Sequence, residues 1–267
     1  NSSLTPENIM TLHGPWQYQW GWHDNTIPKT GWQPVEQPMN PPGRNGRQFL
    51  WLKISLPSGS WDNPSLLIDG RGVLLGFKAY VADQHIYEFG DFNENGLKKF
   101  PGISPHLIEL GDDPANEELT LLVCSDYSNI GIRGTVKIGS KSDLLLAMIR
   151  QHFIRFLIGA AIIFMGLFEL SSVGDISFKK KGVPYFSILA LCLGFYTINA
   201  TNIKDLLIND PIIWFTAYYL SLIIMPTALI GLFKQIIFPT FNRMFTCLIL
   251  FHVFYAVICF SVYVLAL

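Results

Sequence analysis

What this sequence lacks narrows its roles before any motif is read. It has only four cysteines, and Cys124 stands alone in the first half, so no disulfide can form within that half. Cys192, Cys247 and Cys259 fall in apolar runs. A formal net charge of −1 leaves no basic excess to recruit nucleic acid. His13, His23, His85 and His106 are scattered without the i, i+4 spacing of a helical metal site, so zinc is not expected, and nothing implies a cofactor. No Ser, His and acid grouping can be argued, and no enzymatic activity is expected of these residues. "GRGVLLG" from Gly70 has no helix after it to receive a phosphate and reads as a turn. The carboxylates Asp112, Asp113, Glu117 and Glu118 flank Pro114 and read as a solvated loop, with calcium as the alternative. There is no internal repeat. No signal peptide precedes Asn1, so the sequence is expected to begin after a cleavage site or at an artificial boundary.

Charge itself is scarce in the second half. Of the 19 basic and 20 acidic residues, only 12 lie beyond Asp143, mostly in short clusters between apolar runs. Four runs stand out: Phe156–Val173, Val183–Ala200, Ile212–Phe233 and Met244–Leu267. Each is long enough, at 1.5 Å per residue, to approach or span about 30 Å of hydrocarbon. "LIGAAIIFMGLF" is apolar on every side, which excludes the alternation of a barrel strand. The expected division is a water-soluble domain over residues 1–142 and a membrane region over 143–267, with helices near 150–173, 183–201, 212–233 and 243–267.

The soluble half reads as β. In "LWLKISLP", Leu50, Leu52, Ile54 and Leu56 share one face while Trp51, Lys53 and Ser55 share the other. "GFKAYVADQHI" alternates likewise, with a hairpin turn expected at Ala82-Asp83-Gln84. "LTLLVC" and "GTVKIG" add two short strands, and many short strands without an amphipathic helix predict a β-sandwich or jelly roll. The aromatic-rich "WQYQWGWHDN" is the first candidate binding segment. Sugar C–H faces pack on indole rings while hydroxyls bond to polar neighbours, so Trp20, Trp22, His23 and Asp24 are candidates. The alternative is that Trp16, Trp20 and Trp22, alternating at period two, line a buried strand face. Arg44 and Arg47 in "PGRNGR" form a second candidate able to reach an acidic group, with a solvated loop as the alternative.

In order along the chain, several stretches resemble the bacterial seven-transmembrane receptors with diverse intracellular signalling modules, in the branch with the type 2 extracellular domain. "LHGPWQYQW" resembles that domain's opening Gly-x-Trp strand, and "GWQPVEQP" with "FLWLKISLP" its next strands. "FKAYVADQHIYEFG" is similar to its Asn-Gly hairpin, with Asp83 and Gln84 in place of those two residues. "CSDYSNIGIRGTVKIG" resembles its closing segment, keeping Ser128, Asn129, Arg133, Gly134 and Gly139 but carrying Thr135 for a glycine. "IGAAIIFMGLFEL" is close to the family's first membrane helix, with Phe168 for Tyr and Glu169 for His. The resemblance implies an extracytoplasmic jelly roll, galactose-binding-like and similar in outline to carbohydrate-binding modules. It further implies a seven-helix unit in the bacterial inner membrane that relays binding of a small, carbohydrate-like ligand to a cytoplasmic module such as a diguanylate cyclase or histidine kinase. Homodimerisation is left open.

With the N-terminal domain outside, the inner loops hold Lys179, Lys180, Lys181, Lys234 and Arg243 against Lys204 in the outer loop. Lys137, Lys141, Arg150 and Arg155 before the first helix even the count, but folded domains cross largely regardless of charge. Glu169 interrupts an apolar run: it either snorkels or pairs with Lys179–Lys181, or it takes part in signalling. Asn199 and His252 are candidates for interhelical hydrogen bonds. Four crossings from outside return the chain to the outside, so the complete receptor is expected to continue through three more helices. A membrane-anchored carbohydrate-binding envelope protein, and a transporter or membrane enzyme, stay open as alternatives.

Overall fold

The computed structural model describes residues 9–69, 72–111, 114–172, 182–236 and 242–266. It divides into two compact units, Asn1–Ile149 and Arg150–Leu267, a boundary a few residues later than the sequence suggests.

Among the described residues the first unit holds fourteen strands: β1 (Met10–Thr11), β2 (Trp16–Trp20), β3 (Gln33–Val35), β4 (Phe49–Ser55), β5 (Pro64–Ile68), β6 (Val73–Leu74), β7 (Gly76–Val81), β8 (Gln84–Phe89), β9 (Phe92–Asn93), β10 (Gly96–Leu97), β11 (His106–Glu109), β12 (Glu118–Cys124), β13 (Gly131–Ile132) and β14 (Val136–Ser140). A six-stranded antiparallel sheet runs β3-β2-β4-β12-β7-β8, and a four-stranded one runs β1-β14-β5-β11. Both sheets feed one core. Leu66, Ile68, Ile108, Val136 and Ile138 meet Leu50, Leu52, Phe77, Leu119, Leu121 and Val123 within it, which makes the unit a two-sheet sandwich. The period-2 pattern places these residues: in β4 the even-numbered Leu50, Leu52 and Ile54 enter the core, as the alternation predicts.

The β7–β8 hairpin turns through Ala82 and Asp83 alone, with φ of 48° and 62°, and Gln84 already belongs to β8. Two consecutive positive φ values define the tight turn whose twist matches the flanking strands, and Asp tolerates that conformation better than Ala does. A register shift between Ala79 and Tyr80 bends the pair.

Five helices follow: α1 (Lys141–Ser172), α2 (Val183–Asn199), the single turn α3 (Lys204–Leu207), α4 (Pro211–Ile236) and α5 (Asn242–Ala266). Helix α1 starts at Lys141, well before the expected residue 150. Its start is fixed by the Ser140 hydroxyl bonded to Asp143 at 2.6 Å, an acid in the first turn where the helix dipole favours it. Leu144 and Met148 on its first turns pack on Leu67, inside the first unit. The second expected helix is shorter than predicted. Among the described residues three helices are long and apolar enough to cross a membrane, whereas α2 has 17 residues, roughly 25 Å at helical rise. Asn199, at the end of α2, donates its side-chain amide to the Trp214 carbonyl at 2.8 Å.

Within the second unit small residues bring helices close. A Cβ added to Gly194 would stand 2.9 Å from the Gly159 carbonyl oxygen, so α1 and α2 touch backbone to backbone. Helices α4 and α5 are joined by hydroxyl contacts, Thr216 with Tyr263 at 2.6 Å and Thr227 with the His252 ring at 3.0 Å. Asn199 and His252 therefore both make the interhelical bonds expected of them. Lys204 and Asp205, both nearly buried, pair at 2.8 Å with Trp214 beside the ammonium. Glu169 is half-buried near the end of α1, and the lysines proposed as its partners lie outside the described residues.

Candidate functional site

The six-stranded sheet has a second face, turned away from the sandwich core, and the residues on it are aromatic and polar rather than aliphatic. Register sets them in two rows. One runs Gln19, Trp51, Leu122, Lys78, Glu88, and the next runs Gln17, Lys53, Thr120, Tyr80, His85. Trp51 and Tyr80 pack with ring centres 6.0 Å apart. Lys53 pairs with Glu118 at 3.1 Å and lies over the Trp32 ring at 4.9 Å, while Lys78 pairs with Glu88 at 3.4 Å and lies over Phe92. Burial, and then the Glu88 charge, push the Tyr80 phenol above its ordinary range, so it is a neutral hydrogen-bonding group.

Part of this face is open. A cleft of about 330 Å³ is lined by Gln17, Lys53, Ser55 and Glu118 from the sheet and by Thr11 and His13 from the segment before β2. That volume matches small-ligand pockets, and the lining mixes an ammonium, a carboxylate and an amide with apolar stems. The remainder is covered by the segment 21–32 between β2 and β3. Trp22, Ile27 and Trp32 from this segment pack on a second cluster made of Phe49, Trp51, Tyr80, Phe92, Leu122 and Cys124.

The six residues singled out from sequence lie on the segments flanking one end of β2 and β4, since Trp20 pairs with Leu50. Their roles there differ. Trp20 leans on the sandwich core and donates its indole N–H to the Pro42 carbonyl at 2.8 Å. Trp16 and Tyr18 are buried in that core, so the buried-face alternative describes the strand as far as Trp20. It fails at Trp22, because the strand ends and Gly21, at φ 125°, turns the chain. Trp22 then crosses to the opposite face and packs on Phe49 with ring centres 4.8 Å apart. His23 and Asp24 are exposed, and His23 reaches the Gln19 amide at 3.3 Å. Among the described residues Arg44 pairs with no acid. Its guanidinium donates to the carbonyls of Ser128, Ser125 and Arg47, tying segment 43–47 to segment 125–130, and Arg47 donates to the Gly43 carbonyl. Asn40 completes that staple with Asn129 and the Ile130 N–H, both at 2.8 Å.

Sequence reasoning missed Gln17, Gln19, Lys53, Lys78, Tyr80 and Glu118 as a set. The signal was available in β4, where Trp51 and Lys53 alternate against the leucines. What it could not supply was the pairing that aligns β4 with β2, β12 and β7. His106 is also placed by pairing. It is 3 % exposed, in van der Waals contact with Phe77 and Phe89 and hydrogen-bonded to the Tyr87 hydroxyl at 3.1 Å; burial lowers its pKa to about 3, so it is a neutral core residue.

No family model matches the chain, and no curated protein does. Among solved structures, a glycosyl hydrolase family 2 member from Bacteroides cellulosilyticus is 12% identical, with a TM-score of 0.35 over 49% of this chain and 20% of that one. The β-glucuronidase of Faecalibacterium prausnitzii is 15% identical at a TM-score of 0.34, over 47% of this chain and 22% of that one. The β-D-mannosidase of Dictyoglomus thermophilum is 14% identical at 0.34, over 49% and 22%. The chain thus spans about a fifth of the length of each, and likeness at this level assigns no activity.

Proposed function

We propose that this chain is the sensing part of a bacterial membrane receptor of the seven-transmembrane family with diverse intracellular signalling modules. In this reading a galactose-binding-like jelly roll outside the inner membrane takes a small, carbohydrate-like ligand, and the membrane helices pass the signal to a cytoplasmic output. The observation that carries it is the conjunction on one chain of a water-facing β-sandwich and three helices apolar enough to cross a membrane. The sandwich adds an open polar cleft whose Lys53 also lies over the Trp32 ring, an ammonium, carboxylate and amide lining of the kind that suits a polyhydroxylated ligand. The unit is read as binding, not catalytic.

Orientation is tested by single cysteines in a cysteine-free background. One at Ser58, which is exposed, is expected to react with a membrane-impermeant maleimide in intact spheroplasts, and one at Lys180 only after lysis. The reverse pattern would place the β unit in the cytoplasm and end the receptor reading.

A further inference from the structure

Two buried polar atoms in the β unit have no hydrogen-bond partner: the indole N–H of Trp51 and the side-chain carbonyl oxygen of Gln19. Trp51 is wholly buried. The two residues are directly paired across β4 and β2, on the same outer face of the six-stranded sheet, so their Cβ atoms are about 5 Å apart. A native fold rarely leaves one such group unsatisfied, and here a donor and an acceptor are orphaned on directly paired residues. Segment 21–32 covers them. A Cβ added to Gly31 would stand 3.4 Å from the Gln19 side-chain nitrogen, His23 holds the Gln19 amide, and Trp32 reaches Lys53 two residues along β4.

We propose that segment 21–32 is a flap over a hydroxyl-binding subsite, in which a ligand hydroxyl accepts a hydrogen bond from the Trp51 N–H and donates one to the Gln19 carbonyl. The pair selects the chemistry. A carboxylate or phosphate oxygen only accepts and would face the Gln19 oxygen without a proton; an ammonium only donates and would leave the indole N–H unmet. A hydroxyl does both, and the rings of Tyr80, Trp22 and Trp32 around it offer faces for the C–H groups that flank hydroxyls in a saccharide. The covering segment is built to lift. Glycines with φ of 125° and 89° stand near its two ends, at Gly21 and Gly31, and His23 and Asp24 both sit in the left-handed region that side-chain-bearing residues seldom occupy. Lys53 lines the open cleft and also touches the flap through Trp32, so a ligand entering the cleft meets the flap's edge.

This inference rests on the reading of the β unit as a saccharide sensor, and the experiment separates the two. The full chain in detergent is titrated calorimetrically with glucose, galactose, glucuronate and cellobiose, beside Trp51→Phe, which keeps a ring but removes the N–H, and Gln19→Leu, which removes the acceptor. At least one sugar is expected to bind, and each variant to weaken it about fivefold to tenfold, the loss of one buried hydrogen bond. A sugar bound equally well by the parent and by both variants would leave the saccharide reading standing and overturn the subsite. No sugar bound by the folded chain would overturn both. Should Trp51→Phe fail to fold, Gln19→Leu and the unsubstituted chain decide the matter. Bound sugar is expected to change tryptic cleavage after the exposed Lys29 several-fold, and cleavage indifferent to a bound sugar would rule out the flap.

Discussion

The two units of this chain differ most in what they expose. In the β unit the core is Leu, Ile, Val, Phe and Trp, and the charged residues stand at the surface. In the helical unit the buried positions include Ser187, Ala190, Cys192, Thr201, Ser221 and Ala228, while Ile154, Phe164, Leu250, Phe251 and Phe254 point outward. Of the large hydrophobic side chains that stand exposed, all but Met10, Ile103 and Tyr127 lie at Leu146 or beyond. Water drives the first arrangement by expelling apolar surface. A hydrocarbon solvent would remove that drive and leave helices to select small residues for close approach and hydroxyls for bonding across, a pattern that Gly159 with Gly194 and Thr216 with Tyr263 fit. The difference is what a first half solvated by water and a second half solvated by hydrocarbon would give.

The largest effect that would break this comparison comes from swapping truncations between the halves. Leu121→Ala, in the sandwich core and fully buried, is expected to cost about 3 kcal/mol or more of stability, because the cavity cannot collapse within a two-sheet core. Phe251→Ala, at a side chain 71% exposed on α5, is expected to cost under about 0.5 kcal/mol in detergent. Denaturation followed by the β unit's tryptophan fluorescence and by helical circular dichroism measures each. Equal costs would mean that the exposed face of α5 is packed in the native protein, against another helix or another copy.

An intermediate effect tests the β core alone through its one buried imidazole. The folded pKa of His106 is about 3 and the unfolded value is near 6.5. Between those values the unfolded chain binds a proton that the folded chain refuses, so stability is full above about pH 6.5 and is lost as pH falls. The slope is about 1.4 kcal/mol per pH unit, or about 2 kcal/mol between pH 6.5 and 5, a window in which most carboxylates stay ionised. His106→Gln is expected to flatten that slope whatever it does to the stability at neutral pH. A slope that survives the substitution would assign the titration to another group.

How much of this was legible in the sequence differs between the halves for a physical reason. Helix identity is local: an unbroken apolar run fixes its own hydrogen bonds, so α4 and α5 are found within a few residues of their expected ends. The early start of α1 was missed because its first turns, "KSDLLLAMI", owe their helix to Ser140 and Asp143 and their burial to Leu67, a contact that sequence does not show. In the sandwich the strand faces were legible from alternation, and the β7–β8 turn from Ala82-Asp83-Gln84, one residue longer than the turn that forms. The candidate face was not, because it depends on which strands are neighbours: Gln19 and Trp51 are 32 positions apart and meet only through register. The aromatic-rich segment drew attention for its composition. Structure divides its work between the core at Tyr18, the covering segment at Trp22 and the exposed His23 and Asp24.

The smallest effect sharpens the comparison most. Each half carries a polar pair at the surface of its packing, Lys53–Glu118 across β4 and β12, and Thr216–Tyr263 across α4 and α5. Double-mutant cycles are expected to give similar coupling. The ion pair, with the Glu118 side chain 57% exposed, should reach at most about 1 kcal/mol, and the hydroxyl pair about 0.6 kcal/mol, so size alone does not tell them apart. Salt does. At about 1 M ionic strength the screening length falls to about 3 Å, and the Lys53–Glu118 coupling is expected to shrink toward zero. A neutral hydroxyl pair has no net charge to screen, and a site facing hydrocarbon admits no salt, so the Thr216–Tyr263 coupling is expected to hold. Measuring both cycles at low and high salt with Lys53→Met, Glu118→Gln, Thr216→Val and Tyr263→Phe therefore separates the charged contact of one half from the neutral contact of the other. A hydroxyl coupling that fell with salt as the ion pair does would mean that a charged group takes part in the α4–α5 contact, and the reading of it as a neutral hydroxyl pair would not survive it.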